Sequence, residues 1–454
     1  MYFKLSRFFT ILSLFAIPIV SKGTLFPFIV GKYAWFRGSI GLALISFLLG
    51  LLNSAEGKNY LERLKRIIRS PLFIAVSFFV AIFLLAGIFG FDPHFSFWSN
   101  FERGEGGAQM IFLYVFFVLL GTLFQDEGGW RKVLGWAVFV GFLSSLYGFL
   151  ASFGVPDFIG SSFKEGGAYR FQGSLGNSSY VAIYAIFLLF YISYLLTTTS
   201  FKEIKKDLLK NGALLLSAII FVAVFVLAAT RGAFLGVLAS LFLSLVFAAV
   251  FSKKLRKPIG IVLILGILVF GSLFYFKNTD FVKSLPGSRI FDISFGATTF
   301  GHRTIMWEVA LSGLKERPIL GWGPESYYQI FDRHFNTRYF KPPESFGAWF
   351  DRAHSFIFDY LAETGIFGLA AFLGIFGTFF FVFFSRLVRS RREGKVFIFN
   401  SPITQGFFFA LPIAYFIQGL VLFDILVTYL NFFLFLALAN YQFVSFEESK
   451  KDTI

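Results

Sequence analysis

Long apolar segments alternate with short polar ones along most of the chain. A helix needs about 20 mostly apolar residues to cross a bilayer, so this alternation predicts about twelve membrane-spanning helices. They are expected at residues 8–28, 38–53, 71–90, 108–124, 133–153, 180–197, 213–230, 233–251, 258–276, 355–384, 403–422 and 425–445. The fold class predicted from this pattern is an all-α polytopic membrane protein.

One long polar interval, residues 277–354, interrupts the apolar segments and contains three of the four histidines. It divides the chain into a first part with nine predicted spanning helices (1–276), a long loop, and a last part with three spanning helices and a short tail (355–454). The loop is predicted to be ordered rather than flexible, because residues recur in it at helical spacing.

Inside this loop, apolar residues recur at helical spacing from Arg303 to Leu314. The spacing predicts an amphipathic helix that lies against the membrane surface and ends before Pro318. A glycine-rich turn then leads to a second apolar and aromatic stretch, Tyr327–Phe331, and residues 341–344 are expected to form an extended surface piece.

Composition supports the membrane assignment. Of the 454 residues, 56% are hydrophobic and 15% are charged, against about 25% charged residues in an average soluble protein. Cysteine is absent, which excludes disulfides, a thiol nucleophile and cysteine-bound metals.

The net charge of +15 is explained by the distribution of the basic residues. In a soluble protein such a charge would suggest nucleic acid, but here 24 of the 41 Lys and Arg fall in alternate segments and 7 in the short loops between them. Under the positive-inside rule both termini are cytoplasmic, the long loop is extracytoplasmic, and no nucleic-acid partner is expected. Lys4 and Arg7 precede an apolar run without a cleavage site, which predicts an uncleaved first span.

Three arginines on the predicted outer side are candidate anion ligands. Arg231 lies between two long apolar segments, where an ionisable residue is usually functional, although it could instead be an interfacial arginine that reaches lipid phosphate. Arg170 lies among glycines and small polar residues that suit an oxyanion, or it is an ordinary surface arginine. Arg303 begins the predicted loop helix, where a helix N-terminus favours an anion; the alternative is a solvated helix end.

His354 is the candidate catalytic base. It stands where the long loop re-enters the membrane, and a neutral imidazole there can take a proton from a hydroxyl. Asp359 or Glu363 is expected to orient the ring, while the alternative is a structural histidine bonded to a backbone carbonyl. His302 is a second candidate, as another base or as a donor to phosphate.

No acidic cluster of metal-binding spacing, no His/Cys metal set and no glycine-rich phosphate loop before a lysine occurs in the sequence. The sequence therefore predicts chemistry without a metal or cofactor, carried by arginines and one histidine. Such a site suits a substrate that already has a good leaving group, such as a pyrophosphate, whose developing charge the arginines stabilise.

Four sequence elements resemble the O-antigen ligase and O-antigen polymerase superfamily of bacterial membrane glycosyltransferases. They are Arg170–Asn177 (RFQGSLGN), Thr230-Arg231-Gly232, Arg303–Trp307 (RTIMW) with Pro318–Gly323 (PILGWG), and His354 with Tyr360–Gly368 (YLAETGIFG). The twelve-span layout with one long outer loop is also similar, so the resemblance covers nearly the whole chain. One departure is Ser355, because family members often have asparagine after the histidine.

The resemblance implies a lipid-dependent glycosyltransferase fold of the GT-C-like type in the bacterial inner membrane. It implies a donor glycan on undecaprenyl pyrophosphate and a glycan or glycolipid acceptor. Arg170, Arg231, Arg303 and His302 would bind the pyrophosphate, with Arg231 also stabilising the departing charge, and His354 would be the base. Attack by the acceptor hydroxyl would displace undecaprenyl pyrophosphate in one inverting step.

Several activities share this donor chemistry. The main expectation is a ligase that moves a finished glycan to a lipid A core sugar or another surface glycan. A polymerase of repeat units and a protein O-oligosaccharyltransferase are alternatives within the superfamily. A transporter of lipid-linked glycans is an alternative of a different class, which would use the same arginines without releasing free carrier.

Overall fold

The structure is a computed structural model that describes residues 1–163, 169–197, 208–285, 288–291, 298–341, 345–346, 349–394, 399 and 401–448. These residues are mainly helical. The α-helices are α1 (Tyr2–Leu12), α2 (Val30–Asn53), α3 (Gly57–Ile67), α4 (Pro71–Ile88), α5 (Pro93–Trp98), α6 (Gly107–Leu123), α7 (Glu127–Ser152), α8 (Ser178–Thr197), α9 (Leu208–Ala228), α10 (Arg231–Phe251), α11 (Arg256–Tyr275), α12 (Asp280–Ser284), α13 (Thr298–Glu316), α14 (Tyr327–Arg333), α15 (Phe356–Arg392), α16 (Pro402–Gly419) and α17 (Leu426–Glu448). Short 3₁₀ turns occur at Ser13–Ala16, Gly173–Leu175, Lys253–Leu255, Ser288–Phe291 and Thr337–Tyr339, and two short strands, β1 (Phe340–Lys341) and β2 (Ser345–Phe346), pair antiparallel.

The prediction of an all-α polytopic membrane protein is confirmed. Within the described part of the chain, nine helices are long and apolar enough to cross a membrane: α2, α4, α7, α8, α9, α10, α11, α15 and α17. The spans expected at 108–124 and 403–422 also coincide with helices, α6 and α16, which are not among the nine.

The first expected span, residues 8–28, is not one continuous helix. Helix α1 ends at Leu12 and a 3₁₀ turn ends at Ala16, just before Pro18. Proline has no N–H for the helical ladder and clashes with the preceding turn. The buried ammonium of Lys32 donates to the carbonyls of Ile17 and Ile19, and so satisfies backbone oxygens that the broken helix leaves without a helical donor.

Helix α17 lies at the centre of the bundle and α11 lies at its edge. Of the apolar window in α17, 83% is buried, against 6% for the segment Lys253–Tyr275 that contains α11. Phenylalanines fill the space around α17, and the ring of Phe379 is tilted against those of Phe408 and Phe435, with 5.5 Å between ring centroids in both pairs. Burial of such rings accounts for much of the packing within the bundle.

A helix is observed where the loop helix was predicted, α13, and it ends before Pro318. With α14 it builds a second small core on the start of α15, formed by Met306, Val309, Ala310, Trp322, Tyr327, Ile330, Phe331, Ala353 and Ala362. The long loop is therefore a packed unit. Of the expected extended piece at 341–344, residues 342–344 lie outside the described residues.

Gly365 joins this loop unit to the membrane helices. It interrupts α15 with φ 65° and ψ −167°, a left-handed conformation that costs L-residues free energy. The break frees the N–H of Ile366 to donate to Pro318 O at 2.9 Å. Close by, Trp322 N donates to Ala362 O at 3.0 Å, so the Gly-Trp-Gly turn and α15 are fastened together.

Candidate active site

Three of the predicted site residues come together. Arg170, Arg231 and Arg303 line one cavity of about 140 Å³. They come from the segment before α8, the first residue of α10 and the second turn of α13. The remaining lining residues are Ser179, Ala229, Thr230, Gly232, Gln418 and Val421. A polar cavity with three guanidinium groups is suited to a multiply charged anion.

Arg231 is held by a tight turn between α9 and α10. Ala229 is left-handed with φ 48° and Thr230 is extended, so the chain reverses within three residues. A Cβ on Gly232 would lie 2.6 Å from Oε1 of Gln418. The contact shows that the glycine allows α10 to pack closely against α16.

Arg170 is fixed beside the same turn. The N–H of Phe171, whose side chain is buried, donates to Leu227 O at 3.0 Å. The guanidinium of Arg170 is 3.4 Å from the hydroxyl of Thr230, to which it donates. The outer loop before α8 therefore delivers Arg170 to the start of α10.

Arg303 lies one turn further into its helix than the sequence indicated, because α13 begins at Thr298. It acts by its side chain rather than through helix N-terminal amides. Burial lowers the pKa of Arg303, and the charge of Arg231 lowers it further. Two cations this close repel each other, so a bound anion would relieve the repulsion. His302 is half-buried next to Arg303, and its side chain is not part of the described lining of the cavity.

His354 lies between two aromatic rings at the start of α15. Its ring is edge-on to Phe350 at 5.4 Å and to Phe423 at 5.3 Å, and its backbone is left-handed with φ 57°. Nδ1 is 3.1 Å from the carbonyl oxygen of Arg352. A carbonyl can only accept, so a neutral His354 carries its proton on Nδ1 and leaves Nε2 free to take one.

The electrostatic surroundings keep His354 neutral. Burial lowers its pKa from the ordinary 6.5, the hydrogen bond to the Arg352 carbonyl opposes this shift, and the charge of Arg303 lowers the pKa again. The effect of Arg303 places the imidazole within electrostatic reach of the arginine cavity. A neutral imidazole at pH 7 has the protonation state of a general base.

The group that orients His354 is a backbone carbonyl, and not the carboxylate that the sequence suggested. Asp359 Oδ1 instead accepts from the N–H of Ala353 at 2.7 Å, and Glu363 accepts from Arg352 at 2.7 Å. Both acids thus act on the residues before His354 rather than on its ring.

Sequence reasoning missed Arg352. Its side chain is 5% exposed and forms ion pairs with Glu105, Glu325 and Glu363. A sequence signal was present. Arg352 stands two residues before His354, Glu363 belongs to the motif that follows the histidine, and both charged residues are at the membrane boundary. Among the described residues, no group of three or more His, Asp or Glu side chains is arranged to hold a metal ion.

A separate apolar groove of about 210 Å³ lies between α8, α10 and α16, three helices that also contribute residues to the arginine cavity or adjoin it. It is lined by Ile186, Leu189, Phe190 and Ser193 of α8, Val237, Ser240 and Leu241 of α10, and Phe407, Ala410 and Leu411 of α16. At 1.5 Å rise per residue, Val237 is about 9 Å along α10 from Arg231, on the side toward the middle of the bundle. The arginine cavity and the apolar groove therefore lie one after the other along α10.

Residues 216–373 match the family model described as O-antigen ligase. The match, which covers about a third of the chain, supports the O-antigen ligase superfamily. The matched region runs from within α9 to the first half of α15 and contains Arg231, Arg303 and His354, whereas Arg170 lies before it. No curated protein matches the chain. The family resemblance seen in the sequence is thus confirmed, and an enzyme of the ligase or polymerase type in a membrane is the function that the match supports.

Proposed function

We propose that the protein is an inverting, metal-independent glycosyltransferase that moves a glycan from undecaprenyl pyrophosphate to an acceptor hydroxyl. The observation that carries this proposal is the cavity formed by Arg170, Arg231 and Arg303, with a separate apolar groove further along α8, α10 and α16. A lipid-linked pyrophosphate has the same two parts in the same order. Its anion would lie among the arginines and the first isoprene units would lie in the groove.

The arginines would act mainly on the leaving group. As the bond between the anomeric carbon and the pyrophosphate oxygen breaks, negative charge grows on that oxygen. Guanidinium groups already fixed around the anion stabilise this charge without reorganisation. Arg231 is proposed to do most of this, since it begins α10, the helix along which the groove lies, while Arg170 and Arg303 hold the pyrophosphate.

His354 would supply the base. Nε2 takes the proton of the acceptor hydroxyl as its oxygen attacks the anomeric carbon from the face opposite the pyrophosphate. The products are the new glycosidic bond, undecaprenyl pyrophosphate and protonated His354, which then loses its proton to solvent. The assignment of His302 to the pyrophosphate stays a prediction, because its side chain is beside Arg303 rather than on the described cavity wall.

The acceptor is proposed to be a lipid A core sugar or another surface glycan on the extracytoplasmic face of the inner membrane. The basic residues support this orientation, with 24 Lys and Arg in the segments assigned to the cytoplasm and 7 in the short outer loops. The family match supports a function of the ligase or polymerase type, and the proposal takes the ligase.

The test uses the purified protein in nanodiscs with an undecaprenyl-pyrophosphate glycan and measures released carrier. We expect release with a core-sugar acceptor, and its loss in His354→Ala without loss of folded protein. A ladder of lengthened glycan without added acceptor would indicate a polymerase. Movement of labelled lipid between leaflets with no released carrier would indicate a transporter and overturn the proposal.

A further inference from the structure

The three residues before His354 are each fastened by a different partner. Asp351 pairs with Arg103 at 2.7 Å, Arg352 pairs with glutamates from three segments, and the N–H of Ala353 donates to Asp359. His354 itself has a left-handed backbone, which a non-glycine residue adopts only where the surroundings enforce it. The fastened segment supplies that enforcement.

Arg352 is the centre of this arrangement. One of its terminal nitrogens, Nη1, donates to Glu363 in α15 at 2.7 Å, while Nη2 donates to Glu325 in the loop before α14. Nη2 is also 3.7 Å from Glu105, just before α6. A planar guanidinium presents two terminal nitrogens in fixed directions to two carboxylates, whereas lysine has one ammonium nitrogen on a flexible chain.

The cluster contains more acid than base. Burial, and then the neighbouring charge of Glu325, raises the pKa of Glu105 to about 8, against the opposing charges of Arg352 and Arg103. Oε2 of Glu105 has no hydrogen-bond partner within the described residues, although Oε1 accepts from the N–H of Leu426 at 2.9 Å. Because buried carboxylates depend on this one guanidinium, Arg352 has little freedom to move.

We propose that Arg352 is a positioning residue for His354. Its side chain is locked by Glu325 and Glu363, and its own carbonyl is the acceptor for Nδ1 of the imidazole. The lock therefore fixes both the ring orientation and the tautomer that leaves Nε2 unprotonated. The inference rests on the proposed function only for naming His354 as the base; the geometry of the lock is independent of it.

The experiment records ¹⁵N spectra of the full chain, labelled at histidine, in nanodiscs. A His354→Gln sample assigns the signals of His354 among the four histidines. In the wild type we expect the Nδ1–H tautomer, with Nε2 at the shift of an unprotonated nitrogen. In Arg352→Lys we expect both nitrogens at intermediate shifts, because the carbonyl is no longer held and the tautomers exchange.

Transfer kinetics give the second readout. In Arg352→Lys we expect kcat to fall by roughly 100-fold, the loss typical of a 1 Å misplacement of a catalytic group. KM for the donor should change little, because the three cavity arginines are untouched. Arg338→Lys is the matched control, since Arg338 is exposed and pairs with a single glutamate, Glu308; it should behave as wild type in both measurements.

If Arg352→Lys does not fold, Arg352→Met combined with Glu325→Gln and Glu363→Gln removes the unpaired charge and should restore folding. That variant must still lose the Nδ1–H tautomer. An unchanged tautomer in a folded variant without the guanidinium would overturn the inference. If the wild type releases no carrier, the tautomer comparison still decides the role of Arg352, so failure of the proposed function and failure of this inference are separate results.

Discussion

Replacing Gly365 with alanine should loosen the loop unit from the membrane helices. An L-residue at φ 65° and ψ −167° costs about 1–3 kcal/mol. In addition, the new Cβ would be 2.7 Å from the N atom of Leu320, so the backbone on one side must move. That movement would break some of the three nearby backbone hydrogen bonds, each contributing about 1 kcal/mol.

Those three bonds are Ile366 N to Pro318 O, Trp322 N to Ala362 O and Gly323 N to Glu363 O, at 2.9, 3.0 and 2.8 Å. With the backbone strain, loss of all three would destabilise the loop attachment by roughly 4–6 kcal/mol. Since Glu363 belongs to the Arg352 cluster, transfer activity should fall together with stability.

The assay compares apparent Tm by tryptophan fluorescence at one scan rate, limited proteolysis of the loop unit, and carrier release. Gly374→Ala is the matched control, because it lies in the same helix and a Cβ there meets nothing within 4 Å. Alanine is favoured over glycine in a helix by about 1 kcal/mol, so the control should be neutral or slightly stabilised. Equal stability, proteolysis and activity of the two variants would refute the role given to the Gly365 break.

Three further predictions concern the cavity and its base. The kcat/KM for transfer should rise with pH through the pKa of His354, which burial holds below 6.5. Arg303→Gln removes a charge that lowers this pKa, so the midpoint of the pH profile should move to higher pH. A midpoint that moves to lower pH would contradict the assignment of His354 as the base. Arg231→Lys retains the charge but loses the bidentate fork, and losing a charged hydrogen bond worth about 1.5–3 kcal/mol should lower kcat/KM by roughly 10- to 150-fold. Val237→Trp should fill the apolar groove and raise KM for a long-chain donor more than for a donor with a short prenyl chain, whereas Ile264→Trp on the lipid-exposed α11 should do neither.

Much of the helical layout could be predicted from the sequence, because lipid imposes a simple condition. Every backbone polar group in the bilayer must be bonded internally, so long apolar runs become helices. The prediction of a continuous helix fails where a side chain bonds the backbone groups in place of the helical hydrogen bonds. Lys32, in the first turn of α2, bonds Ile17 O at 2.6 Å, and this compensation for the break at Pro18 has no signature in hydropathy.

The arginines were identifiable because each is costly or conspicuous in its local sequence. Arg231 between two apolar runs is the clearest case. The Arg352 cluster could not be found in this way, since its partners Glu105, Glu325 and Glu363 come from separate segments and each looks like an ordinary loop or helix-end acid. For the same reason the sequence assigned the orientation of His354 to a carboxylate. Every residue has a backbone carbonyl, so the pattern of residue types cannot show which one orients the ring.

The two charged groups of the site have opposite surroundings, and this opposition explains why the loop unit must be rigid. Arg231 and Arg303 are held close enough for one to lower the pKa of the other, so their cavity favours an anion. Arg352 is surrounded by carboxylates, so its charge is already paired and needs no bound anion. His354 lies between these regions, with its carbonyl partner in the acidic one and its nearest lowering charge, Arg303, in the basic one. Repelling cations separate unless their helices are tied down, and the contacts of Arg352 and the break at Gly365 both attach α13 and its neighbours to α15. The fixed acidic cluster therefore allows the basic cavity to stay preorganised for a pyrophosphate, which is the condition under which charge stabilisation is most effective in catalysis.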